Sequence, residues 1–163
     1  MEVKKEVEIN EIAVESEKID LTAKMVELFD SSRLSLSKFC WKFMVEPENV
    51  MNWLEGRNKP MVAVPFLMEM ILTYERKFCM LFHTPEVMTV RELRKKTGLS
   101  QKKFCKKYRL KYSTYTKWEM NLHSTPECIV HMIETLLAYE DEFGPIDEPE
   151  WSKLACNYSC MAR

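Results

Sequence analysis

The chain has 163 residues, enough for one medium domain or two small ones, and its 46% apolar and 30% charged composition is that of a folded globular protein. Its three glycines, Gly56, Gly98 and Gly144, are too few for a phosphate-cradling loop or a dinucleotide fingerprint, and they fit poorly with a sheet protein full of tight turns. The net charge of −1 argues against a general nucleic-acid binder, but it conceals residues 89–118, where eleven basic groups stand against one acid, Glu92.

In chain order, residues 1–20 form an acidic N-terminal segment with seven acids and three bases. The segment is not expected to be a secretory signal, because it has no apolar core. No apolar run approaches the roughly 20 residues that span a bilayer. The expectation is a cytoplasmic protein that does not engage a membrane, with reduced thiols at its six cysteines. No Cys-x-x-Cys pair exists, and Cys156 with Cys160 has the wrong spacing for a zinc site, so neither a metal nor a cofactor is expected.

The next feature is a repeat. Shifted by 65 residues, 22–78 fall on 87–143 without a gap, and 14 of the 57 positions are identical, among them Leu34/Leu99, Ser35/Ser100, Phe39/Phe104, Cys40/Cys105, Trp53/Trp118 and Tyr74/Tyr139. Chance would give on the order of three or four identities, so two tandem units are expected, over 21–86 and 87–143, followed by a C-terminal tail over 144–163.

Each unit reads as about four helices: a leading one, two short ones around a tight turn, and a longer closing one. In the closing helix Val64, Leu67, Met68, Ile71 and Leu72 recur at helical spacing, as do Ile129, Met132, Ile133, Leu136 and Leu137. Thr125 is expected to cap the second of these helices and Ser100 the short helix after it in kind. Phe104 with Tyr108, and Tyr115 with Trp118, lie one turn apart and are read as core, as are Phe39 with Phe43 and Val50 with Trp53. Cys40 and Cys105 are read as small buried thiols.

Residues 89–137 resemble the Xre/Cro-type (lambda-repressor-like) helix-turn-helix. The likeness is carried by Thr97-Gly98-Leu99-Ser100-Gln101 entering a second helix, by Phe104 and Cys105 within it, by Tyr112–Glu119 as a recognition helix, and by Thr125-Pro126 leading into the next. The first unit is the same pattern, weakened. The sequence departs from the family where Arg109-Leu110 occupy a turn that often holds glycine, and where Asn121 follows the recognition helix. Asn tolerates the left-handed conformation. The resemblance implies an all-α fold of two tandem lambda-repressor-like helix-turn-helix bundles.

It also implies a DNA face. Tyr112, Ser113, Thr116 and Lys117 point outward while Tyr115 and Trp118 point inward, so the first four are the base-reading candidates in a major groove that admits a helix. Gln101 takes the position at which the family contacts phosphate, and Lys102, Lys103, Lys106, Lys107 and Lys111 would neutralise further phosphates. The first unit instead carries Pro47, Glu48, Met51 and Asn52 at the matching outward positions, with Glu46 beside them, Leu36 in place of the glutamine, and Trp41 in place of a lysine. It is read as having lost or changed its DNA face, with Trp41, Met44 and Met51 as candidate protein contacts.

The expected function is therefore a double-stranded DNA-binding transcriptional regulator, a repressor by preference, and not an enzyme, since His83, His123 and His131 pair with no catalytic motif. The alternative is a protein-interaction module, such as an antitoxin or phage-type inhibitor, using the first unit or the acidic tail. The two units either pack as a pseudo-dimer with one reader, or the chain forms a homodimer with two; the homodimer is the expectation.

Overall fold

The computed structural model describes residues 19–78 and 88–153, and these are all-α, with no strand among them. Eight helices run α1 (Leu21–Ser32), α2 (Leu36–Phe43), α3 (Pro47–Leu54), α4 (Ala63–Lys77), α5 (Val90–Thr97), α6 (Gln101–Tyr108), α7 (Tyr112–Glu119) and α8 (Glu127–Phe143), and a last helical turn covers 150–153. The bounds of α2 and α3, shifted by 65, are those of α6 and α7. No described helix is long and apolar enough to cross a membrane. The reading of Cys156 and Cys160 falls outside the described residues.

Local chemistry sets the boundaries. Asp20, Ser35 and Ser100 each accept a backbone N–H in the first turn of α1, α2 and α6, and Thr89 forms a reciprocal box with Glu92 at the start of α5. Those bonds from Thr89 hold the Glu92 carboxyl below its usual range. Thr125 does not cap α8. That helix starts at Glu127 with Pro126 as its N-cap residue, so Thr125 lies one position too far out to cap it, and proline brings no side-chain acceptor of its own.

Left-handed residues also recur at the 65-residue shift: Arg33 with Gly98, Met44 with Arg109, and Gly56 with Asn121. Asn121 thus adopts the conformation expected of it. Arg109 ends α6 at φ 59°, in a region that costs a non-glycine residue on the order of 1 kcal/mol.

The two sets of four helices share one continuous core. Helices α4 and α8 pack along each other at its centre, while α2 packs on α8 and α6 on α4. Residues meet their own counterparts: Tyr74 lies 5.6 Å from Tyr139, and Phe78 stacks on Phe143 at 4.5 Å. A residue touches its own copy only where like surfaces meet about a two-fold axis. The ion pairs obey the same relation, Lys42 with Glu75 at 2.6 Å and Lys107 with Glu140 at 2.8 Å. The symmetry breaks after α8. Residues 144–152 are not a free tail: the Tyr74 hydroxyl donates to the Gly144 carbonyl, the Trp151 indole N–H donates to Glu69 on α4, and Ser152 is fully buried.

Candidate nucleic-acid interface

Helices α6 and α7 are joined by a turn of three residues, Arg109 to Lys111. Phe104, Cys105, Tyr108, Leu110, Tyr115 and Trp118 are buried and fix the pair on the core. Burial pushes the Cys105 thiol up to about 12, so it is an inert packing group, and Cys40 is buried in the matching place.

The pair is locked by a polar network around Glu119, the last residue of α7. Its carboxylate accepts from Arg94 Nε at 2.6 Å, from the Tyr115 hydroxyl at 2.6 Å and from the Gln101 side-chain amide. Arg94 also donates to the Leu99 carbonyl, and Tyr112 donates to Gln101 Oε1 at 3.3 Å. Burial alone would raise the Glu119 carboxyl, but the bonds from Arg94, Tyr115 and Gln101 hold it below its usual range. Burial and the Glu119 contact together push the Tyr115 phenol up. The first unit fills the equivalent positions with hydrocarbon: Phe29, Leu36, Val50 and Leu54.

The base-reading candidates stand as follows. Tyr112, Ser113 and Lys117 are exposed and Thr116 is half-buried, its hydroxyl bonded to the Ser113 carbonyl at 3.0 Å. Of the phosphate candidates, Lys102, Lys103, Lys106 and Lys111 are exposed and have no acidic partner among the described residues. Lys102 lies 6.0 Å from the Tyr112 ring, so the starts of α6 and α7 are neighbours. Two candidates are committed within the protein. The Gln101 side chain serves Glu119 and Tyr112, leaving its backbone N–H at the start of α6 as the group suited to a phosphate. Lys107 is paired with Glu140.

Sequence reasoning assigned no role to Arg91, Lys95 and Lys96 on α5, which are exposed and without an acidic partner among the described residues. The charge count for 89–118 was the available signal. It also missed Arg109. That guanidinium donates to the Ser152 carbonyl at 3.0 Å, to Glu148 at 2.5 Å and to the Lys106 carbonyl at 2.5 Å, and sits 4.7 Å over the Phe66 ring. It satisfies a carbonyl at the end of its own helix while stapling the C-terminal segment across both units, which offsets its backbone strain. No motif links residue 109 to residue 148.

A cleft of about 540 Å³ lies beside the end of α7, lined by Met44, Trp118, Asn121, His123, His131 and Glu134 among others. His131 Nε2 is 3.1 Å from the Lys42 carbonyl, so it joins the units as a structural residue. Met120 and Leu122, 68% and 62% exposed, flank the loop between α7 and α8 and were not singled out from sequence. In the first unit Trp41 is 82% exposed, and Met44 and Met51 are exposed as well. Among the described residues no group of histidine, cysteine and carboxylate side chains is placed to hold a metal. Compared with known families, with curated proteins and with solved structures, the chain matches none.

Proposed function

We propose that the chain is a sequence-specific double-stranded DNA-binding regulator, in which α6 and α7 act as a lambda-repressor-like helix-turn-helix and α7 enters the major groove. One observation carries this reading: an exposed helix face of Tyr112, Ser113 and Lys117, backed by an apolar face, lies within a set of eight exposed cations on α5, α6, α7 and the turn between α6 and α7 that have no ion-pair partner among the described residues. Tyr112 and Lys117 supply groups for base edges, Lys117 suiting the O6 and N7 of guanine. Lys102, Lys103, Lys106 and Lys111 supply phosphate contacts that set position and salt dependence. The bonds of Glu119 to Arg94 and Gln101 preorganise the two helices, so less ordering cost falls on binding.

The test is selection of bound duplexes from a random DNA pool by the purified full chain. Enrichment of a defined sequence is expected, with affinity falling steeply with salt. The variant Tyr112→Ala/Lys117→Ala is expected to lose the enrichment and keep the wild-type circular dichroism and melting curve. A folded wild-type chain that enriches nothing refutes the reading.

A second reading rests on Trp41, Met44 and Met51. Three exposed large apolar side chains on the first unit, beside Glu46 and Glu48, favour a protein-contact surface of the kind an antitoxin or inhibitor would use. It is compatible with DNA binding by the second unit.

A further inference from the structure

Taking the DNA-binding reading as its premise, we infer that the target is one asymmetric half-site, bound by a single chain, and not the palindrome of a two-fold dimer. The first argument is packing. Modules that read short half-sites gain affinity by pairing two readers about a two-fold axis. Here the like-against-like contact is already made inside the chain, by Tyr74 with Tyr139 and Phe78 with Phe143, and α2 and α6 each pack on the other unit's closing helix. The core runs through both units without a break. The surface that would pair two chains about this axis is thus covered by the chain's own second half.

The second argument is charge. The eight exposed cations of the second unit with no ion-pair partner among the described residues are Arg91, Lys95, Lys96, Lys102, Lys103, Lys106, Lys111 and Lys117. At the 65-residue shift their counterparts are Val26, Asp30, Ser31, Ser37, Lys38, Trp41, Glu46 and Asn52. Only Lys38 keeps the charge, and Asp30 and Glu46 reverse it. Facing phosphates, those two carboxylates repel rather than attract. The pseudo-dimer therefore has one reading side and one silent side. The C-terminal segment makes the molecule further asymmetric, because Arg109 holds it on one side only, and Met44 stands where a second arginine would be needed. This proposal departs from the homodimer expected from the sequence.

The experiment uses the duplex pool enriched by the full chain. Two duplexes are then built, one carrying a single copy of the recovered sequence and one carrying two inverted copies a helical turn apart. Affinity is read by fluorescence anisotropy and stoichiometry by native mass spectrometry. The expected result is a non-palindromic enriched sequence, one chain on the single-copy duplex, and an inverted-repeat affinity within about twofold of it, where two linked readers would gain on the order of a hundredfold or more. Enriched palindromes carrying two chains, with weak binding to a single copy, overturn this inference while leaving the DNA-binding reading intact. No enrichment by the folded chain overturns both.

Discussion

Replacing Glu119 by leucine isolates the network that fixes α7 on α5 and α6. The carboxylate accepts bonds from three side chains, and the Arg94 guanidinium loses its one ion-pair partner among the described residues when it goes. The side chains of Arg94 and Glu119 are 19% and 7% exposed, so the pair is largely removed from water. Removing one partner of such a pair costs about 3 kcal/mol or somewhat more, because the other charge stays behind. For a chain of this size that is roughly 6–12 °C in Tm. The first unit already contains the remedy. Replacing Arg94, Gln101, Tyr115 and Glu119 together by their counterparts, as Arg94→Phe, Gln101→Leu, Tyr115→Val and Glu119→Leu, removes Glu119 and its three side-chain partners at once. That variant is expected to recover most of the loss, since a packed apolar cluster matches or exceeds a buried ion pair in stability. Urea denaturation followed by circular dichroism measures both. A loss below about 1 kcal/mol for the single change, or a fourfold variant no better than the single one, would refute the account. The pH dependence follows from the sign of the shift. The Glu119 carboxyl is depressed in the folded state, so its contribution is present above the ordinary glutamate value and fades as pH falls through the lower folded value. Wild type should lose more stability over that acid range than Glu119→Leu does; parallel curves would contradict the assignment.

Further outcomes are expected at Tyr108, at the left-handed residues Met44 and Arg109, and at two lysines of α6. The Tyr108 hydroxyl is buried with no hydrogen-bond partner among the described residues, and the first unit has Phe43 at that place; Tyr108→Phe should be neutral or stabilise by up to about 1 kcal/mol, and a clear loss in denaturation would reveal a contact not accounted for. Met44→Gly relieves a left-handed residue and should raise stability by a few tenths of a kcal/mol to about 1. Arg109→Gly gains the same relief but loses the bonds to Glu148 and Ser152, for a net loss of about 2 kcal/mol; equal behaviour of these two variants would show that the staple contributes little. On a duplex selected by the wild type, Lys103→Ala should reduce the salt slope by about one, whereas Lys107→Ala, already paired with Glu140, should change it less.

The helices and the repeat were legible in the sequence because both rest on short-range signals. Apolar residues at helical spacing placed α4 and α8, Ser100 marked the start of α6, and the 65-residue identities foretold the matching boundaries of α2 with α6 and α3 with α7. The inward pair Tyr115 and Trp118 and the left-handed Asn121 followed from the same local reasoning. The network around Glu119 was not legible, since it joins residues 94, 101, 115 and 119, whose partnership depends on how three helices cross. The placing of 144–152 escaped for a similar reason: an acidic, proline-containing stretch reads as a tail, and only the fold brings Glu148 and Ser152 to Arg109 and Trp151 to Glu69. Lys107 was counted as available because its acid, Glu140, lies 33 residues away.

The contacts of Tyr74 with Tyr139 and of Phe78 with Phe143 bear on how such a chain diverges. In a dimer of identical subunits every substitution appears twice, so a change that spoils one copy spoils the other, and a change at the axis meets itself. Joining the two subunits in one chain removes that constraint. Each side of a mirrored contact becomes a separate position, free to change while its partner holds the shape. Tyr74 donates to the Gly144 carbonyl while Tyr139 donates to Glu75, so the two tyrosines of one contact make different bonds. The same freedom allows lysines at 106 and 111 where the first unit carries Trp41 and Glu46, so the two halves can differ in surface charge on one shared scaffold.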